Sequence, residues 1–154
     1  MRNFTGAAVV CLLLAQILLA PIAAAATIRD TLESFEFFGT WTAHCDRPTS
    51  PVNSLRTVYE TANGQVEFTE SFGEGFEPNT YAVTDATMPM RGTIILRIVL
   101  NGEIKQQLTM RQKRGRIRTM SNRDSEKGTF VVKNGIVTNT GKSTPWLSHC
   151  AQAR

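Results

Sequence analysis

The sequence predicts an all-β domain: an antiparallel up-and-down barrel of about eight strands with a short N-terminal helix, a β-sandwich being the alternative. Three observations carry this. Asn-Gly turns recur, apolar and polar residues alternate around them, and strand-like segments follow one another at short, regular spacing.

The turns come first, because Asn and Gly both tolerate the positive φ that a tight hairpin demands. Asn63-Gly64, Asn101-Gly102 and Asn134-Gly135 each separate two alternating segments, and Arg114-Gly115 predicts a fourth turn. The strands then read as 39–46, 55–62, 65–72, 81–87, 93–100, 103–113, 116–122 and 130–138. Alternation assigns their faces. Ile94, Leu96, Ile98 and Leu100 point inward, as do Ile104, Leu108 and Met110, while Lys105, Gln107, Thr109 and Arg111 point out. Trp41, Ala43 and Cys45 share the inward phase of the first strand, away from Thr42 and His44. Before that strand, Ile28, Leu32 and Phe35 fall at helical spacing and predict one amphipathic turn capping the sheet.

Residues 1–26 read as a cleaved signal peptide. Arg2 supplies the positive start, Ala7 to Leu19 an apolar run broken only by Gln16, and Ala23 to Ala26 the small residues a signal peptidase reads. The run is shorter than the roughly 20 apolar residues that span a bilayer. Residues 27–154 are then one exported domain, periplasmic or secreted. Cys11 leaves with the leader, and Cys45 and Cys150 are expected to be bridged, as paired cysteines in exported proteins usually are.

Charge is divided along the chain. Thr27 to Met90 holds 3 basic and 10 acidic residues, and Arg91 to Arg154 holds 13 basic and 3 acidic. Lys105, Arg111, Lys113, Arg114, Arg116, Arg118 and Arg123 run without an intervening acid. They form either a solvated outer face or a patch for an anionic partner, such as a weakly bound anionic membrane surface. Nucleic acid is not expected, because no aromatics interleave the cations for base stacking.

Phe38-Gly39-Thr40-Trp41 resembles the Gly-x-Trp start of the first strand in lipocalin-like (calycin) barrels. The resemblance implies an eight-stranded barrel with a short helix before the first strand and the Trp packed at the closed end. Small periplasmic inhibitors of lysozymes and proteases are similar in architecture.

Candidate chemistry is sparse. His44-Cys45 and His149-Cys150 hold the residue types of a Cys2His2 metal site, but neighbours on a strand face opposite ways, so neither metal nor cofactor is expected. Neither histidine lies in a nucleophile motif, and bridged cysteines are no nucleophiles. The acidic segment Glu67 to Glu77 lacks a calcium-loop pattern and reads as a mobile loop carrying Phe72 and Phe76. The expected function is therefore non-enzymatic: a binding or accessory protein that holds a small apolar ligand or docks an envelope protein. Leu96, Ile98, Leu108, Met110, Phe72 and Phe76 are its candidate ligand-binding residues. An inhibitor acting on a hydrolase through rim loops is the alternative, and a hydrolase with a carboxylate site comes last. An open apolar pocket favours the first reading and a filled interior the second.

Overall fold

The computed structural model describes residues 27–150. The leader assigned to residues 1–26 lies outside them. The chain runs α1 (Ile28–Ser34), β1 (Gly39–Thr42), β2 (Leu55–Glu60), β3 (Val66–Ser71), β4 (Asn79–Met90), β5 (Thr93–Leu100), β6 (Ile104–Lys113), β7 (Arg116–Asp124), β8 (Phe130–Lys133), β9 (Ile136–Val137) and β10 (Leu147–Cys150). Every pairing is antiparallel. Strands β1 to β7 form a meander, and β10 pairs with both β1 and β7, which closes an eight-stranded ring. This arrangement is compatible with a lipocalin-like barrel.

Local chemistry explains the first elements. Thr27 caps α1 through a reciprocal box with Asp30, which satisfies two helix N–H groups that otherwise lack partners. The helix stops at Glu36, whose left-handed φ of 58° lets the Phe37 N–H return to the Leu32 carbonyl at 2.9 Å. Leu32, Phe35 and Phe37 are thereby driven into the barrel against Trp41, Val58, Ile94, Met110 and Ile117. Trp41 is 2% exposed, and its indole N–H donates to the Phe37 carbonyl at 2.8 Å. This apolar plug fills the end of the barrel beneath the helix.

Three hairpins turn as type I′ demands, with both central residues at positive φ: Asn101-Gly102, Arg114-Gly115 and Asn134-Gly135. Around Asn63 only Gly64 is left-handed, and the loop is wider, closed by the Thr61 N–H on the Gln65 carbonyl.

Three expectations are corrected. Residues 130–138 do not form the eighth barrel strand. They fold as the β8–β9 hairpin, which pairs only with the distal half of β7, and Leu147–Cys150 closes the ring instead. Second, β1 ends at Thr42, so Cys45 does not share the inward phase of Trp41. It lies exposed in the following loop, bridged to Cys150, which is registered with outward-facing Thr40. Thr42 is buried even so, because that loop folds over it. Third, Ile104 is 43% exposed. As the first residue of β6 it sits at the rim beside the Asn101-Gly102 turn.

Candidate functional site

The end of the barrel opposite the helix is open, and inward-facing side chains from seven of the eight ring strands surround a cavity of about 620 Å³ there. Phe68 and Tyr81 stack with centroids 4.4 Å apart on one wall. Ile98, Leu108, Val132 and Leu147 make the facing wall, and Phe72, Val52 and Val137 stand at the rim.

At its floor the cavity is polar. Arg56 on β2 occupies an inward phase two residues before buried Val58, and it is only 7% exposed. Its guanidinium lies 5.2 Å over the Phe68 ring and reaches the Met110 sulfur at 3.4 Å. A second nitrogen lies 3.4 Å from the Glu70 carboxylate, whose other oxygen accepts from the Ser54 hydroxyl at 2.8 Å. The Nε–H of Arg56 has no hydrogen-bond partner, nor does the Oδ1 of Asn122, although both atoms are buried. Asn122 donates to Gln106 Oε1 at 3.2 Å. Burial, and then the Glu70 charge, push the Tyr81 phenol above its ordinary pKa.

The residues singled out from sequence distribute unevenly. Ile98, Leu108 and Phe72 line this cavity. Leu96 and Met110 are fully buried in the packed core beneath it. Phe76 is 56% exposed on the rim loop. Sequence reading missed Arg56, Glu70 and Asn122. No clear signal marks Arg56 in the sequence, because its phase on β2 (Arg56, Val58, Glu60) is less apolar than the opposite one (Leu55, Thr57, Tyr59).

The cationic strip spreads along the outer wall rather than forming one patch. Lys105 pairs with Glu126 at 3.2 Å. Arg116 donates to the Trp146 carbonyl, Arg118 to Thr144 and Gly135, and Arg123 to the Gly128 carbonyl. Among the described residues no side-chain hydrogen bond or ion pair engages Arg111, Lys113 or Arg114. Lys113 and Arg114 stand at the plugged end, away from the cavity mouth.

His149 lies edge-on to Trp41 at 4.9 Å and donates from Nε2 to the Phe38 carbonyl at 3.2 Å. A Cβ at Gly39 would fall 2.3 Å from that nitrogen, and Gly39 has φ +106°, so the Gly of the Gly-x-Trp start is needed here for both reasons. His44 is exposed, its main chain held by Asn53. Among the described residues no three His, Cys, Asp or Glu side chains gather as a metal site would need.

Two further concavities lie on the outside. One of about 470 Å³ borders Arg97, Lys105 and Arg123, and one of about 710 Å³ is a surface groove beside α1, between Glu33, Glu36 and His149.

Fold and cavity together define a disulfide-tied β-barrel, plugged at one end and hollow at the other. Compared with known proteins, the chain matches no protein-family model, no curated protein and no solved structure.

Proposed function

We propose that this is an exported, non-enzymatic binding protein that carries one small, largely apolar ligand in the open end of its barrel. The observation that carries the reading is the cavity itself. Its volume of about 620 Å³ lies within the roughly 300–1,000 Å³ of small-molecule sites, and its apolar walls with a few buried polar groups fit that class. Exposed Val52 and Val131 at the mouth give an apolar ligand a path of entry. The disulfide is consistent with an oxidising compartment outside the cytosol. The lipocalin-like resemblance at Gly39-Thr40-Trp41 points the same way, since such barrels hold ligands in their interiors.

The test uses N-phenyl-1-naphthylamine, an uncharged apolar dye that brightens out of water. Saturable enhancement with one dye per chain is expected, and Val137→Trp, which crowds the rim, should abolish it while the far-UV circular dichroism stays unchanged. No saturable enhancement, or enhancement indifferent to Val137→Trp, would overturn the reading.

A further inference from the structure

The two buried polar atoms without partners belong to side chains that line the same cavity. Arg56 spans the interior from β2 to touch Met110 on β6. Leu108, the next inward residue along β6, is registered with Asn122 on β7, and Arg56, Leu108 and Asn122 all line the same cavity. One atom is a donor, Arg56 Nε–H, and the other an acceptor, Asn122 Oδ1. Leaving either buried without a partner is costly, and a ligand supplying both an acceptor and a donor removes both penalties.

Charge decides which head group fits. Glu70 already stands 3.4 Å from the guanidinium, so the floor is close to neutral. A carboxylate head is drawn to Arg56 and repelled by Glu70, while an ammonium head meets the reverse. The pKa of the Tyr81 phenol beside it is raised first by burial and then by the Glu70 charge, both of which disfavour a further anion there. An uncharged group escapes both repulsions and still makes both hydrogen bonds.

We infer that the ligand is amphipathic with an uncharged head, a carboxamide or hydroxyl that accepts from Arg56 Nε–H and donates to Asn122 Oδ1. The inference rests on the carrier reading above and deepens it. The apolar tail lies along Phe68, Ile98 and Leu108 toward the mouth.

The experiment displaces N-phenyl-1-naphthylamine with ten-carbon probes that differ only in the head: decanamide, decanoate and decylammonium. Decanamide is expected to compete at about tenfold lower concentration than either ion, the effect of one well-made buried hydrogen bond. Arg56→Met keeps the packing over Phe68 but removes the donor, and Asn122→Ala removes the acceptor. Each should erase the preference for the amide, read as the ratio of competing concentrations corrected for that variant's own dye affinity. Should Arg56→Met fail to fold, Asn122→Ala alone carries the comparison. Preference for decanoate overturns the uncharged head, and so does equal competition by all three, the result if water satisfies both atoms. Those two outcomes leave the carrier reading standing. A wild-type barrel that never binds the dye overturns the carrier reading and the head assignment together.

Discussion

Asn53 shows how much one polar side chain organises. It is buried in the loop after β1, where its Oδ1 accepts from the Thr42 hydroxyl at 2.9 Å and the His44 N–H at 3.0 Å. Its Nδ2 donates toward the carbonyls of His44, Arg47 and Pro48. A loop that must cover Thr42 without sheet pairing needs another source of hydrogen bonds, and this amide is that source. Asn53→Ala should cost about 2–4 kcal/mol, because several buried groups lose their partner at once. Asn53→Asp should cost at least as much, since a carboxylate then faces the three carbonyls. Thermal denaturation checks both, and a melting temperature within a degree or two of wild type would refute the assignment. A second test concerns the tyrosines, of which the chain has only two. Burial raises the pKa of each, with Glu67 reinforcing it at Tyr59 and Glu70 at Tyr81. A phenol whose folded pKa exceeds its unfolded one contributes stability fully below the ordinary value near ~10, lost as pH rises through the folded value. Phenolate absorbance should therefore appear at higher pH than in the unfolded chain, and stability should fall across that interval. Coincident titration of folded and unfolded protein would contradict it.

Among the elements, the β8–β9 hairpin is held by side chains as much as by strand pairing. Strand β7 pairs with β10 through Arg116 and Ile117 and with β8 only at Asn122 and Arg123. Arg118 bridges the gap between these stretches, donating to the Thr144 hydroxyl at 3.0 Å and the Gly135 carbonyl at 2.8 Å. A Cβ at Gly135 would sit 2.8 Å from that guanidinium, which would have to shift to admit it, and the glycine's φ of +74° disfavours a side chain there in any case. Arg118→Ala should loosen the hairpin selectively. Amide exchange at Val132 and Lys133 is expected to quicken by on the order of tenfold, as loss of a charged hydrogen bond implies, with β2 to β5 unaffected. Uniform acceleration, or none, would argue against the clamp. The hairpins were legible in the sequence because Asn101-Gly102 and Asn134-Gly135 encode their turns in adjacent residues. The closing strand was not. Leu147-Ser148-His149-Cys150 shows no clear alternation, and only its distant partners β1 and β7 make it a strand. The same holds for the cavity floor, since Arg56 and Asn122 come to line one cavity only after the ring closes.

At the scale of the whole molecule, the acidic and basic halves of the chain form opposite arcs of the ring, β1 to β4 and β5 to β10. Of the five ion pairs among the described residues, only Arg97–Asp85 joins the two halves. Charge attraction therefore does little to hold the barrel shut. Closure depends on β10, a strand of four residues that meets β1 at three positions and β7 at two. Next to that short seam stands the Cys45–Cys150 bridge, spanning 105 residues of sequence with Cα atoms 5.7 Å apart. A bridge over so long a loop removes much of the freedom of the unfolded chain, worth roughly 4–5 kcal/mol in the chain-entropy description. Replacing both cysteines, as in Cys45→Ser with Cys150→Ser, should lower the unfolding free energy by about that amount, a large share of the roughly 5–15 kcal/mol typical of a domain. Urea denaturation of the variant checks the size of the effect, and reduction of the wild type should reproduce it. Amide exchange separates entropy from local packing: a bridge that acts on the unfolded chain lowers protection in all strands together, whereas one that merely pins the seam exposes β10 and spares the rest. A variant within about 1 kcal/mol of wild type would show that β10 closes the ring unaided, since loss of the loop constraint alone is worth several times that.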